Sequence, residues 1–332
     1  MFMNEFQNKK ILITGATGLI GRHLTEMLLS RGAKVIAIGR NKKKLEAVFD
    51  STVGSDNLLI VEGDISKSFP VHEQDIDYVF HAASPISGVE IKTKPVDTIS
   101  ANIDGIRNCL EHLKNQGHGR LIVFSSATAY GNYSLSEDMT VTEEMTDKAD
   151  ALHTPNTPYS ESKRMVEVLA RAYGNQYSVD SVIARIAYVY GYSNPKPNTA
   201  FYEFIGKAIN GEDIVLNSSG MGRRDNIHVN DVVNGLLIVA AQGNSGEAYN
   251  LSSNGDLENF RAIDEIAEII ADEASGILGK PVKAVIKPME GQRKPGMKMD
   301  NTKAKDLGWN VNISLAEGIG KTVSAYFADT MR

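Results

Sequence analysis

Near its start the chain reads Lys10-Ile11-Leu12-Ile13-Thr14-Gly15-Ala16-Thr17-Gly18-Leu19-Ile20-Gly21. The first five residues form a short apolar run that ends at a glycine, which is typical of a buried parallel strand. A helical spacing of apolar residues then extends from Leu19 to Ser30, and Gly32 follows it. The stretch therefore predicts a strand, a glycine-rich turn and a helix in direct succession.

This glycine-rich turn has the properties of a phosphate-binding loop. Glycines permit a tight turn and let the backbone approach a pyrophosphate closely, while the N-terminus of the next helix offers unpaired N–H groups and a positive dipole end. Because a strand precedes the glycines and a helix follows them, we predict that the loop binds a dinucleotide. The residues predicted to contact it are Gly15, Thr17, Gly18, Leu19, Ile20 and Gly21.

The same alternation of strand and helix continues through the first half of the chain. Further strands are predicted at Lys34–Ile38, Asn57–Val61, Ile76–Phe80, Arg120–Phe124 and Ser181–Ile186, and further helices at Asn41–Phe49, Val96–Asn115 and Pro158–Gly174. Strands that alternate with helices form right-handed βαβ units around a parallel sheet. The predicted fold class is therefore α/β, with a Rossmann-type doubly wound parallel sheet.

The alternation loosens after Tyr192, where a turn-rich segment begins. Helices are then predicted at Ala200–Asn210, Val229–Ala241, Phe260–Ala274 and Leu315–Ala328, mixed with short strands. We expect residues 1–192 to form the Rossmann domain and residues 193–332 to form mostly a smaller, mixed α/β substrate lobe. Strand-like segments at Asn226–Val229 and Ala248–Leu251 indicate that parts of residues 223–255 rejoin the first domain.

The residues after the second predicted strand bear on the identity of the dinucleotide. At this place an acidic residue holds the ribose 2′-hydroxyl of NAD, whereas an arginine accommodates the 2′-phosphate of NADP. The chain has Arg40 here, followed by Lys43 and Lys44, and no carboxylate. Because an arginine–phosphate pair is strong and specific, NADP is favoured and NAD is the alternative. Asp64 and Ile65, after the third strand, are expected near the adenine.

A second pattern, Tyr159-Ser160-Glu161-Ser162-Lys163, indicates proton transfer. Residues four apart share one face of a helix, and a neighbouring cation favours the phenolate of a tyrosine whose ordinary pKa is near ~10. The pair alone is common by chance, so its surroundings decide its meaning. Ser126 ends an apolar strand, which predicts its hydroxyl at the carboxyl edge of the sheet, where α/β proteins bind ligands. We predict that Tyr159, Lys163 and Ser126 are catalytic.

In this order and spacing, the motifs resemble the extended short-chain dehydrogenase/reductase family, the NAD(P)-dependent epimerase/dehydratase group. The resemblance spans nearly the whole sequence and also rests on His81–Ser84, Ser125–Gly131, Arg185–Gly191, Arg223–Val232, Lys303–Ala304 and Leu307–Trp309. It implies that Tyr159 is the acid/base, that Lys163 binds the nicotinamide ribose and lowers the tyrosine pKa, and that Ser126 binds the reacting oxygen. It also implies that His81, Ala82 and Ala83 line the cofactor.

Many members of that family act on nucleotide-diphosphate sugars, and the resemblance implies such a substrate here. Arg224, or its neighbour Arg223, is predicted to clamp the diphosphate, because a guanidinium matches phosphate geometry. Arg293 is predicted to supply a second phosphate contact, and Ser126 and Thr128 to contact the sugar. No metal site is predicted.

Departures from the family pattern narrow the expected chemistry. An Asp-Glu pair follows the active-site Ser or Thr in 4,6-dehydratases, a glutamate stands at the position of Thr128 in decarboxylases, and 3,5-epimerising relatives use a cysteine in this loop. The chain has Ala127 and Thr128 here, and its single cysteine is Cys109, on a predicted helix. Neither Ala127 nor Thr128 can act as a general acid near neutral pH. Tyr188 also stands where many relatives have an asparagine that contacts the diphosphate.

The remaining chemistry is oxidation or reduction of one alcohol carbon. We therefore expect an NAD(P)-dependent nucleotide-sugar epimerase that acts at C4 by reversible hydride transfer. The alternatives are an NADPH-dependent reductase of nucleotide-4-keto-sugars and a non-catalytic protein that senses NADP(H).

Bulk properties limit the expected partners. The chain has 332 residues, a formal net charge of −6 and one cysteine. An acidic balance disfavours nucleic acid as a partner, and no apolar run is long enough to cross a membrane. A single cysteine fits the reducing cytoplasm. The helices predicted at Val96–Asn115 and Pro158–Gly174 resemble those that form a four-helix homodimer interface in relatives.

Overall fold

Strands β1 to β14 and helices α1 to α10 are found in the computed structural model, which describes residues 5–71, 75–85, 88–131, 138–216, 222–286 and 295–331. The strands are β1 Lys10–Thr14, β2 Lys34–Gly39, β3 Leu58–Glu62, β4 Tyr78–His81, β5 Arg120–Ser126, β6 Met139–Val141, β7 Asp180–Ile186, β8 Tyr188–Tyr190, β9 Ile214–Leu216, β10 Arg223–His228, β11 Ala248–Leu251, β12 Phe260–Ala262, β13 Ala284–Ile286 and β14 Met297–Met299. The helices are α1 Leu19–Ser30, α2 Lys42–Val48, α3 Gly88–Thr93, α4 Pro95–Gln116, α5 Thr157–Tyr177, α6 Ala200–Ile209, α7 Val229–Gln242, α8 Ile263–Leu278, α9 Thr302–Asp306 and α10 Leu315–Thr330.

Seven strands pair in parallel in one large sheet, in the order β11-β7-β5-β4-β1-β2-β3. The chain runs outward from β1 through β2 to β3 and then returns to the other side of β1 with β4. This reversal leaves a crevice between the carboxyl ends of β1 and β4, where α/β sheets bind their ligands. The predicted Rossmann-type doubly wound fold is confirmed.

Helices cover both faces of this sheet. Leu24 and Leu28 of α1 and Leu236 of α7 belong to the hydrophobic core on one face. Ile106 and Leu110 of α4, with Val166 and Ala170 of α5, belong to the core on the other face. Each fully buried Leu or Ile side chain stabilises the fold by about 1.5–3 kcal/mol relative to its exposed state. The packing of α4 and α5 holds both helices against the sheet beside β5 and β7.

The later part of the chain has a core of its own. Helices α6, α8 and α10 pack around buried residues that include Phe201, Ile270 and Ile319. Small sheets of order β12-β10-β8, β13-β9 and β14-β6 accompany them. Strand β11 joins the large sheet beside β7, whereas β10 pairs with β8 and β12 instead. The division into residues 1–192 and 193–332 stays a prediction. None of the helices in the described ranges combines the length and apolar character needed to span a bilayer.

Two predicted elements differ from the structure in an informative way. Strand β5 continues past Phe124 to Ser126, because its pairing with β7 extends to the partners Ser126 and Ile186. The helix predicted to begin at Phe260 begins at Ile263, because residues 260–262 pair antiparallel with Arg223–Asp225 as strand β12. The carboxylate of Glu265 accepts the N–H of Ala262 at 2.7 Å and so marks the start of the helix.

Candidate active site

The glycine-rich loop packs directly against the backbone that follows β4. Gly15 has φ +66°, and a Cβ there would lie 2.8 Å from Cα of Ala83, so both the conformation and the space require glycine. A Cβ on Gly21 would lie 2.4 Å from the carbonyl oxygen of Gly15. Residues 15–21 are thus held in one tight turn beside Ala82 and Ala83.

The N-terminus of α1 fits a phosphate group. Gly18 is the N-cap residue, no side chain caps the helix there, and its first turn contains no acidic residue. The positive end of the helix dipole is therefore compensated neither by a capping side chain nor by an acidic residue in the helix's own first turn. Thr17, Leu19 and Ile20, which surround this end, are partly exposed, as a ligand-contacting loop requires.

The loops after β2 and β3 contain the residues predicted to contact the adenosine part of the dinucleotide. Arg40 is exposed at the end of β2, and its charge is among those that lower the pKa of Asp64, after the larger effect of the Ser66 hydroxyl. One carboxylate oxygen of Asp64 accepts both the N–H (3.1 Å) and the hydroxyl (2.7 Å) of Ser66. Ile65 is buried, and its carbonyl accepts a hydrogen bond from Asn108 at 2.7 Å.

His81 lies beneath this loop rather than on its surface. Its ring is buried, its Nδ1 lies 2.9 Å from the Thr14 hydroxyl, and a Cβ on Gly105 would come within 2.9 Å of its Cε1. Burial, aided by the charge of Lys163, lowers the pKa of His81 to about 3. The Thr14 hydroxyl also accepts the N–H of Ala83 at 3.1 Å. A neutral His81 therefore supports the loop from below, and the contact of His81, Ala82 and Ala83 with the cofactor stays a prediction.

Ser126, Tyr159 and Lys163 meet at the carboxyl end of β5. The ammonium of Lys163 is buried, donates to the carbonyl of Phe124 at 2.8 Å and lies 5.7 Å from the centre of the Tyr159 ring. Ser126 begins a 3-10 turn over residues 127–130, and its hydroxyl oxygen accepts the N–H of Thr128 at 3.2 Å. The hydroxyl proton of Ser126 thus remains available to a substrate or to Tyr159.

The acidity of Tyr159 differs from the expectation. Burial raises the pKa of Tyr159 above its ordinary value, while the hydroxyls of Ser126 and Ser84 act in the opposite direction. Burial also lowers the pKa of Lys163 to about 8, although Glu167 opposes this change. The pKa of Tyr159 is therefore raised overall, and the two hydroxyls oppose the effect of burial.

A buried ion pair stands behind Lys163. The carboxylate of Glu167, one helical turn further along α5, accepts from Arg185 at 2.9 and 2.8 Å and from the Ser125 hydroxyl at 2.6 Å. Arg185 also donates to the carbonyl of Glu143 at 2.8 Å and lies 4.8 Å from the centre of the Tyr130 ring. Both charges are paired and hydrogen-bonded, as buried charges must be. The pair ties α5 to β5 and β7 directly below the site.

Ser84, which follows His81-Ala82-Ala83, was not among the predicted site residues and forms hydrogen bonds next to Tyr159. Its hydroxyl donates to Oδ1 of the buried Asn102 at 2.7 Å, and Nδ2 of Asn102 donates to the Ser162 hydroxyl at 2.8 Å. Ser162 in turn donates to the carbonyl of Tyr159 at 2.8 Å. The signals in the sequence were the Ser after His81-Ala82-Ala83 and a polar residue on the buried face of α4, and neither is specific alone.

The predicted substrate residues fall into separate environments. Thr128 is exposed in the turn after Ser126. Arg224 is exposed, stacks 4.6 Å from the centre of the Tyr188 ring and forms no ion pair with any described residue. Arg223 instead pairs with Asp138 and lies 4.3 Å from the centre of the Phe260 ring. Arg293 lies outside the described residues.

The pairing of the strands shows where Arg224 lies relative to the end of the sheet that carries Ser126. Ile186 of β7 pairs with Ser126 of β5, and Tyr188 follows Ile186 by two residues at the start of β8. Tyr188 pairs in turn with Asn226 of β10, two residues after Arg224. The stacked pair of Tyr188 and Arg224 is therefore adjacent, along the strands, to the end of the sheet that carries Ser126.

This fold and this arrangement of serine, tyrosine and lysine define a dinucleotide-binding enzyme of the extended short-chain dehydrogenase/reductase class. The family model described as "NAD dependent epimerase/dehydratase family" matches residues 11–252, and the chain belongs to that family. The predicted family is thus confirmed, as is a nicotinamide dinucleotide as cofactor. The preference for NADP over NAD stays a prediction.

Individual relatives differ in the reaction that their names state. UDP-glucuronic acid decarboxylase 1 of Xenopus tropicalis is 28% identical over 97% of this chain and 73% of its own. The structure of an epimerase from Methanothermobacter thermautotrophicus is 26% identical, with a TM-score of 0.81 over 99% of this chain and 95% of that one. UDP-glucose 4-epimerase of Thermotoga maritima, solved with UDP-glucose, is 25% identical, with a TM-score of 0.79 over 97% and 100%.

Proposed function

We propose that the protein is an NAD(P)-dependent nucleotide-sugar epimerase that inverts C4 of the sugar. The observation that carries the proposal is the composition of the site at the end of β5. Ser126, Tyr159 and Lys163 supply hydroxyl groups and one ammonium, and no carboxylate is among the groups that shift the pKa of Tyr159. Such a set can move a proton on and off one alcohol, and it contains no acid to expel a leaving group.

Each residue has a distinct part in this reaction. Tyr159 takes the proton of the C4 hydroxyl and later returns it to the carbonyl oxygen, while Ser126 donates a hydrogen bond to the same oxygen. Lys163, anchored on Phe124, orients the ribose of the dinucleotide and keeps a positive charge near Tyr159. The bound dinucleotide supplies the hydride acceptor and donor. Rotation of the intermediate ketone between the two transfers gives net inversion.

Similarity to a decarboxylase favours a shared substrate class rather than a shared reaction. By its name, the UDP-glucuronic acid decarboxylase relative acts on a nucleotide sugar. The alignment with it covers 97% of the present chain. Decarboxylases carry a glutamate where this chain has Thr128, and the exposed hydroxyl of Thr128 cannot replace a carboxyl group near neutral pH. Thr128 and Ser126 are instead proposed to contact the sugar.

Arg224 is proposed as the ligand of the substrate diphosphate. Its guanidinium is held on the Tyr188 ring and is not engaged by any carboxylate of the described chain, whereas Arg223 is paired with Asp138. An unpaired, oriented guanidinium can bind phosphate oxygens in a bidentate manner. Arg293 remains a proposed second contact on sequence grounds.

The second candidate is an NADPH-dependent reductase of 4-keto-sugar nucleotides. Arg40 favours it, because a consumed cofactor is commonly NADPH and Arg40 is exposed where a 2′-phosphate would lie. The same Tyr159 would then donate a proton once, with no return step. A purely NADP(H)-sensing protein is the third candidate, and the intact set of Ser126, Tyr159 and Lys163 speaks against it.

We also propose a homodimer formed by α4 and α5 of two copies. Val96 and Ile99 of α4 are 71% and 43% exposed, and Met165 and Val168 of α5 are 46% and 55% exposed. Each pair is spaced by three residues and so lies on one helix face. Exposure of such apolar faces to water is energetically unfavourable. Packing of the two helices against those of a second copy, in a four-helix interface, would bury them.

Whether turnover consumes NADPH distinguishes the proposed epimerase from the proposed reductase. Purified protein, with the absorbance of its retained cofactor recorded, would be incubated with UDP-hexoses, dTDP-hexoses and the corresponding 4-keto sugars. The epimerase proposal expects a change of the sugar without net loss of absorbance at the NADPH band. Stoichiometric oxidation of NADPH by a 4-keto sugar would reject it in favour of the reductase.

A further inference from the structure

Within the described residues, four arginines stack on aromatic rings, and one of these stacks lacks a carboxylate. A stacked guanidinium uses its flat face, so the N–H donors in its plane stay available to an anion. In three of the stacks an acidic side chain takes up those donors: Arg22 on Tyr192 pairs with Glu26, Arg185 on Tyr130 pairs with Glu167, and Arg223 on Phe260 pairs with Asp138. Arg224 lies 4.6 Å from the centre of the Tyr188 ring, and no acidic side chain of the described chain pairs with it. The fourth stack is therefore complete except for its anion.

The pairing of the strands makes the uncompensated charge of Arg224 unfavourable. Strands β10 and β12 pair antiparallel, with Arg224 directly opposite Arg261. Like charges in directly opposite positions destabilise an antiparallel pair. Arg261 is compensated by Glu258 and by Glu265, which lies 3.6 Å away, whereas Arg224 is exposed and has no such partner among the described residues. An anion bound at Arg224 would compensate the second charge of the pair.

Hydrogen bonds fix the backbone beside the stack. Nδ2 of the buried Asn226 donates to the carbonyl of Arg224 and to that of Asn259, each at 2.9 Å. Asn226 is also the residue of β10 that pairs with Tyr188 of β8. The backbone of Arg224 and the ring on which its side chain lies are thus held by the same pair of strands, next to the end of the sheet that carries Ser126.

We propose that Tyr188 is a positioning residue for the diphosphate of the substrate, because its ring holds the Arg224 guanidinium with the N–H donors open to phosphate oxygens. This inference rests on the proposed function in taking a nucleotide diphosphate as the anion. A diphosphate offers the negative charge and the paired oxygens that a guanidinium binds in a bidentate manner. Tyr188 acts through Arg224, so the aromatic ring is required at this position and the phenol hydroxyl is not.

The proposal assigns different effects to the ring, the hydroxyl and the guanidinium. Tyr188→Phe retains the ring and should leave the affinity for UDP within about twofold of the wild-type value. Tyr188→Leu removes the ring and should weaken UDP binding by about fivefold, because Arg224 loses its support and must be ordered by the ligand. Arg224→Ala should weaken UDP binding by about 10- to 100-fold. In the Arg224→Ala background, Tyr188→Leu should cause no further loss.

Calorimetric titration of the full chain, saturated with NAD⁺ or NADP⁺, would measure the affinities for UDP, dTDP and inorganic pyrophosphate. Uridine, which lacks phosphate, should show no difference between the variants, and the affinity for the dinucleotide should also stay constant, whereas a folding defect would change it. Tyr177→Leu is the matched control, because it removes a ring that lies 5.0 Å from the Lys114 ammonium at the last residue of α5. This control should leave every affinity unchanged.

Three results would overturn the role of the ring: equal diphosphate affinities of Tyr188→Leu and wild type, equal losses in Tyr188→Phe and Tyr188→Leu, or a loss from Tyr188→Leu that persists in the Arg224→Ala background. A wild type that binds none of the three diphosphates would overturn the subsite itself. The titrations convert no sugar, so a failure to epimerise any nucleotide sugar would reject the proposed reaction and leave these results intact.

Discussion

At the scale of single residues, the environment of Tyr159 bears on its proposed role as both acid and base. Burial favours the neutral phenol, whereas the hydroxyls of Ser126 and Ser84 favour the phenolate. Lys163 provides a positive charge whose own pKa is lowered to about 8 by burial. The net effect is a raised pKa of Tyr159, so the neutral phenol is its resting form and the two hydroxyls are the groups that oppose burial.

Replacement of Tyr159 by phenylalanine tests this role. Tyr159→Phe removes the phenol proposed as the acid/base and should reduce turnover of an accepted nucleotide sugar by about 10²- to 10⁴-fold. Affinity for the dinucleotide, measured by fluorescence titration, should change little. Tyr177→Phe is the matched control, because Tyr177 ends the same helix and is 45% exposed. Equal turnover in Tyr159→Phe and Tyr177→Phe would remove Tyr159 from the mechanism.

Arg40 is the residue on which the proposed preference for NADP depends. Arg40→Ala removes the guanidinium proposed to bind the 2′-phosphate and should weaken NADP binding by about 10- to 100-fold. NAD lacks that phosphate, so its dissociation constant, measured by calorimetry on the same variant, should stay within about twofold. Equal losses for both dinucleotides, or none for NADP, would contradict the assignment.

At the scale of elements, α5 organises the site by helical spacing. Tyr159, Lys163 and Glu167 succeed one another every four residues and face β5 and β7. Glu167 then binds Arg185 of β7, and Lys163 binds the carbonyl of Phe124 in β5. A change to the buried ion pair should therefore affect stability and the position of Lys163 together.

Glu167→Gln should destabilise the fold by about 3 kcal/mol, because it leaves the charge of Arg185 buried without its partner. Glu203→Gln removes an exposed ion pair with Lys207 and should cost less than about 0.5 kcal/mol. Urea denaturation of the two variants and the wild type at neutral pH measures both free energies. Similar values for the two substitutions would show that the buried pair is not structural.

The same pair gives a pH dependence of defined sign. Burial pushes the pKa of Glu167 up, but the hydrogen bonds and charge of Arg185 outweigh burial, so the pKa is lowered. A lowered pKa contributes stability that is fully present above the ordinary glutamate value near ~4.3 and is lost as pH falls through the folded-state value. Wild-type stability should fall in this acidic window by more than that of Glu167→Gln. Parallel curves for both proteins would contradict the shift.

Elements with a strong local pattern were predictable from sequence, and elements defined by pairing were not. The strand and helix around Gly15–Gly21 were predicted at Lys10–Thr14 and Leu19–Ser30, where the structure has them. The strand at Phe260–Ala262 was assigned to a helix, because only its partner Arg223–Asp225 makes it a strand. Ser84 was given no role, because its part in the site depends on Asn102, which is distant in sequence.

At the scale of the whole molecule, overall similarity and local site chemistry carry different information. The relatives by sequence include a decarboxylase, and the structural neighbours include a UDP-glucose 4-epimerase. The 4-epimerase has the same overall fold as this chain, with a TM-score of 0.79. We propose that side chains in the loop after β5, residues 126–128, discriminate between these reactions where the fold does not.

The exposed apolar faces of α4 and α5 predict the assembly state. Val168→Glu places a charge in the proposed four-helix interface and should convert a dimer into a monomer in light scattering after gel filtration. Val53→Glu alters another exposed valine, which lies outside these helices, and should leave the mass unchanged. A monomeric wild type, or a dimer that survives Val168→Glu, would exclude this interface.

The fate of hydrogen at C4 tests the account most directly. The protein would be incubated with UDP- and dTDP-hexoses that carry deuterium at C4, and the products would be examined by NMR. The account predicts a product with inverted C4 configuration that retains the deuterium, because the hydride leaves and returns within one site. A C4 configuration that stays unchanged in every sugar, or an inverted product that has lost its deuterium to solvent, would contradict it.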